Sequence, residues 1–402
     1  MKKVLFVMNT LGRAGAEMAL LELLRRLSEQ KELEISLFVL TGQGEMLSQV
    51  PEGVRLLNRT YDDCSVLTSE GKRHLLQTVL RAMVRRGTVF RLFPYLIKQL
   101  CSMIKQKRIL PDKLLWRVLS DGAERFVEEF DLAVAYIEGG STYYVTDHVK
   151  AKKKAAFFHV DYTMAGYTRS LDKDCYLGYD KIFPISDEVK TAFLSVYPEC
   201  SKKTEVFHNL INAERIQKMA EEAGGFEDAY TGYRIITVGR LTAQKDFAQS
   251  VQAMKLLKEQ GIKARWYIFG EGEQRTELEA LIKRFGLEQE FFLPGMTENP
   301  YVYVKQADLY VHATRFEGKS IAIQEAQILG KPILVSDCSG NREQVVDGVD
   351  GMLCELTPEA ICAGIKALLA DKKRQEQFGK MAKQRHKAEN GNVEKLLVLL
   401  EG

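Results

Sequence analysis

Two glutamates eight positions apart, Glu317 and Glu325, flank the run Gly318-Lys319-Ser320 in a stretch that opens at His312. The apolar residues before His312 end a strand, and Ser320 is a good helix N-cap, so the helix start offers backbone amides to phosphate or sugar oxygens. Carboxylates accept paired hydrogen bonds from vicinal hydroxyls, the feature shared by a ribose and a hexose. Acids complementing a helix dipole are the plainer reading, and it suits Glu317 better than Glu325, which lies a turn further in. A second constellation is Gly239-Arg240 with Lys245. A planar guanidinium and a point-charge ammonium after a strand can clamp a diphosphate. On that fragment alone, two solvated cations on a surface loop are the simpler reading. Gly270 and Gly272 form another glycine turn at the next strand's end. Gly12 and Gly15 follow the first strand, where glycine lets a ligand approach backbone amides, although an ordinary strand-to-helix turn reads equally well. The spacing there is not G-x-G-x-x-G, so a nicotinamide cofactor is not implied.

The elements that must position these residues repeat one rhythm, a short apolar strand and then an amphipathic helix. Strands are expected at Lys3–Met8, Glu34–Leu40, Asp131–Ile137, Lys154–Phe158, Lys181–Ile185, Tyr233–Val238, Ala264–Phe269, Glu290–Leu293, Asp308–His312 and Pro332–Ser336. Continuous apolar strands alternating with helices imply parallel sheets covered on both faces. There are too many for one sheet, and the polar stretch Asn212–Thr231 separates two series. An α/β chain with two Rossmann-like, doubly wound domains is therefore expected. The first covers residues 1–210 with a helical insertion at about 68–120, and the second covers 211–375. Residues 376–402 are helical and are expected to pack back on the first domain.

Composition narrows the function. The 402 residues are 46% apolar and 28% charged, ordinary for globular domains and unlike disordered or fibrous chains. A net charge of +3 gives no whole-chain argument for nucleic acid. No apolar run approaches the roughly 18 residues of a spanning helix, and the first apolar stretch is too short for a secretory signal. The seven cysteines show no C-x-x-C spacing, so neither a disulfide framework nor a zinc site is expected, and a reducing cytoplasm is the default. The histidines His74, His148, His208, His312 and His386 show no metal spacing, and no Asp-x-Asp loop offers a divalent site. Residues 71–118 depart from the average. They hold twelve Lys or Arg against one acid, Asp112, a local charge of +11 that leaves −8 for the remainder. Apolar residues such as Leu76, Phe90, Phe93, Ile97 and Ile104 are interleaved with the cations. A basic amphipathic segment of this kind suits an anionic membrane surface, and a helical insertion with a solvated basic face is the bland alternative.

Taken together, these segments resemble glycosyltransferase family 4. The string EGKSIAIQEAQILGKPILVSD, preceded by GRLTAQKDF and FGEGEQR, carries the E-x7-E pair, and GRAGAE resembles the family's Gly-Gly-Ala-Glu loop. FFHVDY, FPISDEVKTAF and VFHNLINAERI also correspond in position, so the likeness runs from about residue 3 to 370. Within the family the nearest likeness is to bacterial capsule and exopolysaccharide enzymes. The resemblance implies a GT-B fold, two domains facing a cleft, and metal-independent, anomer-retaining transfer with no cofactor. It implies that Arg240 and Lys245 hold the donor pyrophosphate and that Glu325 binds the ribose. Glu317 would face the transferred sugar, with Gly270, Gly318 and the amides of Lys319 and Ser320 nearby. His159 and the Gly12–Gly15 loop would close the cleft, His159 positioning the sugar in preference to acting as a catalytic base, with an ordinary packed histidine as the plainer reading. The implied partners are a nucleotide-sugar donor, UDP before GDP, a glycan or lipid-linked glycan acceptor, and an anionic membrane at residues 71–118, with no nucleic acid. The implied location is the inner face of a cell membrane. The chain departs from the family's pattern at Ala14, at Leu210 in place of a hinge proline, at Asp246 in place of glycine, and at Lys319-Ser320 in place of Phe-Gly. The rival readings are a GT-B phosphorylase or epimerase, and a partner that binds nucleotide or polysaccharide without catalysis.

Overall fold

The computed structural model describes residues 1–66, 68–107, 109–388 and 393–401, apart from the side chains of residues 86 and 386–388. Arg108 and the side chains of Arg86 and His386 therefore lie outside the described residues. The chain forms two compact units, Met1–Leu210 with Gly391–Gly402, and Ile211–Asn390. The first is built on β1 (Lys2–Met8), β2 (Leu33–Val39), β3 (Val54–Leu56), β4 (Phe130–Ala135), β5 (Ala151–Phe158) and β6 (Lys181–Pro184). The second is built on β7 (Tyr233–Val238), β8 (Ala264–Phe269), β9 (Phe291–Gly295), β10 (Leu309–His312), β11 (Ile333–Ser336) and β12 (Met352–Cys354). The sheet orders are β3-β2-β1-β4-β5-β6 and β12-β11-β10-β7-β8-β9, and the pairings are parallel. Both are doubly wound sheets, with the strand order reversing beside β1 and beside β7.

The strands are apolar throughout because helices cover both sheet faces. In β1, Val4, Phe6 and Met8 pack with Leu20, Leu24 and Leu27, while Leu5 and Val7 join Tyr143 and Ala156 on the opposite side. In β7, Ile235 and Ile236 divide between two cores in the same way. The polar Thr237 is tolerated there because its hydroxyl donates to Val311 O (2.6 Å) and accepts from the Trp266 indole (3.0 Å). Two strands were not expected, β3 and β12. Each has three residues at a sheet edge, too few to show a hydrophobic period.

The tail is parted between the units. The helix Lys372–Ala388 stays with the second, where Phe378 is buried and Arg385 pairs with Asp350 at 2.8 Å. The helix Glu394–Glu401 belongs to the first, with Leu396 and Leu400 in the β1 core and Lys395 Nζ donating to Val206 O (2.7 Å).

Between β3 and β4 lie the helices Ser69–Val84, Thr88–Lys105 and Pro111–Gly122. Tyr95 donates to Leu171 O (2.6 Å), and Gln99 donates to Ser170 O (3.0 Å). Arg117, counted among the surface cations in the sequence, is instead buried. Its guanidinium lies 3.6 Å from the Tyr143 ring centroid and donates to Asp147 (2.8 Å) and to Asp172 O (3.0 Å). Burial of a cation requires such partners, so Arg117 fastens the insertion to its unit.

Candidate functional site

Strand order places the loops after β7 and β10 side by side, since those strands pair at Leu309–Ile235 and Tyr310–Ile236. Crevices beyond the carboxyl ends of strands at such a reversal are where doubly wound sheets take ligands. Gln244 ties the two loops. Its amide donates to Phe316 O (2.8 Å), and its carbonyl accepts from Arg315 N and Thr314 Oγ1, both at 3.0 Å.

The lacing brings Lys245 and Glu317, 72 residues apart, into an ion pair. His312 lies beneath them, its Nε2 3.0 Å from Lys245 Nζ and 3.1 Å from Glu317 Oε1. Burial would push the Glu317 carboxyl up, but the Lys245 ammonium and His312 hold it down to about 2. Burial and the same ammonium keep His312 below its usual range, so the imidazole is neutral at physiological pH. An ammonium has three donors. Glu317 takes one, so at least one N–H of Lys245 is left for an incoming oxyanion even when the Nε2 lone pair of His312 takes another. Asp246 follows with φ +44°, a left-handed backbone that glycine adopts freely and aspartate takes at a cost on the order of 1 kcal/mol. Its carboxylate pairs with Arg315 at 2.9 Å.

Arg240 stands at the end of β7 with an exposed side chain that has no partner among the described residues. Gly270 lets the exits of β7 and β8 approach, since a Cβ there would lie 2.0 Å from Gly239 O. Glu325 is in the helix Ile321–Ile328, partly buried, and accepts from the Tyr301 hydroxyl (2.7 Å). Burial raises its carboxyl to about 7 despite that hydrogen bond. Glu317 is therefore a fixed anion, whereas Glu325 titrates near neutrality.

One expectation is corrected. The Ser320 amide is not open to a ligand, because it donates to Gln344 Oε1 (2.7 Å), and Gln344 Nε2 returns a bond to Ser320 O (2.8 Å). The neighbouring Lys319 is buried. Gly340 makes room for the turn, since a Cβ there would meet Gly318 O at 2.3 Å and Glu317 O at 2.6 Å. The Glu317–Ser320 turn is thus clamped by the segment after β11.

Gly12, Gly15 and His159 lie in the first unit, at the carboxyl ends of β1 and β5. One amide of the Gly12–Gly15 loop is already taken, since Glu45 accepts from Arg13 N at 3.2 Å. His159 stacks on Phe157 and tilts against Tyr136, and its Nε2 is buried without a hydrogen-bond partner among the described residues. Burial lowers the imidazole to about 4. Its backbone amide donates to Glu138 Oε2 (3.0 Å), and Asn9 Nδ2 donates to Glu138 O (3.1 Å). Burial raises Glu138 too. Glu138, Asn9, His312, Gln244, Tyr301 and Gln344 were not singled out by sequence. His312 alone carried a signal, as a polar residue ending an apolar strand.

Comparison with known proteins bears on both units. Residues 226–385 match the family model described as glycosyl transferases group 1. Anabaena HepE, solved with UDP-glucose, superposes with TM-score 0.66 at 15% identity, covering 100% of this chain and 98% of that one. The fold is GT-B. Among curated relatives of this GT-B chain is the N-acetylgalactosamine-N,N'-diacetylbacillosaminyl-diphospho-undecaprenol 4-alpha-N-acetylgalactosaminyltransferase of Campylobacter jejuni. It is 34% identical over 189 residues, 46% of this chain and 50% of the relative. The amylovoran biosynthesis glycosyltransferase AmsD of Erwinia amylovora is 27% identical over 150 residues, 37% of this chain and 42% of the relative. The chain thus spans half or less of the length of these two relatives.

Proposed function

We propose that the chain is a glycosyltransferase of family 4 that moves a sugar from a UDP-sugar to a glycan or lipid-linked glycan in bacterial surface polysaccharide synthesis, retaining the anomer. The observation that carries this reading is the Lys245–Glu317 ion pair over His312 at the ends of β7 and β10, with Arg240 on the same loop as Lys245 and Glu325 in the helix that follows Glu317. UDP-glucose in HepE and the diphospho-undecaprenol in the name of the Campylobacter relative support a UDP donor and a lipid-linked acceptor.

Charge develops on the leaving diphosphate as the sugar becomes oxocarbenium-like, so preorganised cations there lower the barrier. Arg240 supplies a fork of donors and Lys245 its remaining N–H. Glu325 accepts from the ribose hydroxyls in place of, or beside, Tyr301. Glu317 holds Lys245 in place and borders the sugar. No carboxylate is assigned as a nucleophile. The acceptor attacks from the leaving-group face, its oxygen bonds to the anomeric carbon as the bond to phosphate breaks, and its proton passes to the departing phosphate oxygen. These cations do the charge neutralisation that a divalent ion does elsewhere, so the reaction is assigned no metal and no cofactor. In the first unit His159, neutral and packed on aromatic rings, positions sugar hydroxyls. The basic segment 71–118 holds the enzyme at the anionic inner face of the cell membrane, and no helix among the described residues is long and apolar enough to cross it.

The test is incubation of the purified chain with labelled UDP-sugars and membrane extract, with mass spectrometry of the lipid fraction. Label in a glycolipid, or slow hydrolysis of one UDP-sugar, is expected. Binding without either outcome would leave a non-catalytic partner, and phosphate-dependent breakdown of a glycan would indicate a phosphorylase.

A further inference from the structure

The helix Thr88–Lys105 is apolar on two opposite sides. Its inner side, with Leu92, Tyr95, Gln99 and Met103, faces its own unit. Its outer side carries Phe90, Phe93, Ile97, Leu100 and Ile104, exposed by 85%, 57%, 46%, 42% and 56%. Intervals of three and four residues put these five on one stripe of a helix. The preceding helix adds exposed Leu76, Leu80 and Val84 at i, i+4 and i+8. Single exposed apolar residues are ordinary on a soluble protein, but a continuous stripe of large ones marks a surface that meets something apolar.

The charges around the stripe say what that is. Lys98 and Lys105 recur at a seven-residue interval on its flank, and Arg91 continues the row, although it pairs with Asp121. Lys72, Arg73, Arg81, Lys98, Lys105 and Lys107 are exposed, and their cationic groups have no partner among the described residues. A protein partner's apolar patch would not need six uncompensated cations, whereas an anionic bilayer offers acyl chains below and phosphates at the level of the cations. The stripe spans 15 residues, about 21 Å of helix, and lies along its axis, which suits a helix in the plane of the interface rather than across it.

We propose that the helix Thr88–Lys105 lies in the interface of an anionic membrane with Phe90, Phe93, Ile97, Leu100 and Ile104 sunk among the acyl chains. Attachment is then by insertion, with the cations guiding approach and discriminating anionic lipid. The proposal rests on the membrane reading above and specifies how the contact is made.

The experiment uses the full chain and vesicles of equal parts phosphatidylglycerol and phosphatidylcholine, with pure phosphatidylcholine as control, read by co-sedimentation. The chain is expected to bind the mixed vesicles at low salt and to remain substantially bound when salt is raised past the point where surface charges are screened. A variant combining Phe90→Ser, Phe93→Ser and Ile97→Ser should bind at least tenfold more weakly, with unchanged Tm because those side chains support no core. A Phe93→Trp variant should gain fluorescence that dibrominated acyl chains quench. If neither vesicle binds, the membrane reading falls and insertion with it. If the mixed vesicles bind but salt releases everything and the serine variant binds as tightly, insertion is wrong while electrostatic docking stands. If the chain is dimeric and the serine variant monomeric, with no quenching of Phe93→Trp, the stripe is an interface between two copies and the proposal is overturned.

Discussion

The two units share one strand order, yet their carboxyl edges are electrostatic opposites. At the end of β10 an ammonium holds Glu317 at about 2, so the edge is permanently charged. At the ends of β4 and β5 Glu138 has no ion pair among the described residues, and Lys113 acts on it only at longer range. Burial raises Glu138 and drops His159 to about 4, so the imidazole at that edge is neutral and the carboxyl is less readily ionised than Glu317. The difference teaches what each edge is suited to hold. A buried ion pair with one spare N–H stabilises an added phosphate oxygen, whereas neutral groups accept sugar hydroxyls without the cost of stripping water from an ion. The fold supplies the crevice twice, and the side chains decide its ligand.

The largest effect separating the edges should come from the cations. Lys245→Ala or Arg240→Ala should cut turnover by roughly 10²-fold or more, the loss of one preorganised donor, measured with a UDP-sugar. Near-normal rates in both variants would remove the donor assignment. Next, Glu317→Gln frees Lys245 from its counter-ion and should lower kcat by about tenfold or more, whereas Glu138→Gln, which still accepts from the His159 amide, should cost less than about threefold. Comparable losses would mean that the two edges are not electrostatically distinct.

The pH dependence sharpens the same contrast. Glu325 ionises near 7, so donor affinity should rise by about tenfold between pH 6 and 8 as the carboxylate becomes able to accept two hydroxyls. Glu325→Gln should flatten that profile, as seen by titration calorimetry with UDP. Because its folded-state value is raised, this residue contributes stability below the unfolded value of 4.5 that is lost as pH rises through about 7. Glu325→Gln should therefore raise Tm at pH 8 by roughly 2–4 °C, for about 1 kcal/mol. The smallest effect is at His159. Its folded value is lowered, so its contribution is present above the unfolded value of 6.5 and is lost as pH falls towards about 4. A Tm series on His159→Phe should show less acid loss between pH 6 and 4 than the parent chain, with no difference at pH 8.

The parallel sheets and most strands were legible because burial on both faces leaves uninterrupted apolar runs such as Val4–Met8 and Ile333–Val335. The two three-residue edge strands were not, since a run that short has no pattern. The glutamate pair and the two cations stood out as charged residues at strand ends, where charge needs a reason. Their supporting groups did not. Gln344, Tyr301, Gln244 and Glu138 are ordinary polar residues in sequence, and only chain reversal brings them against Ser320, Glu325, Phe316 and His159.

By itself, then, the sequence determined the class of fold and the number of units, and it singled out the residue types proposed to meet a diphosphate and vicinal hydroxyls, because periodicity and local charge are properties of neighbours along the chain. Which amides stayed open, which carboxyl came to titrate near neutrality, and which arginine left the surface were settled only in three dimensions. Hydrogen-bond partners and desolvation come from segments tens of residues away: Gln344 closes the Ser320 amide, the walls around Glu325 raise its carboxyl, and Tyr143 and Asp147 take Arg117 inside.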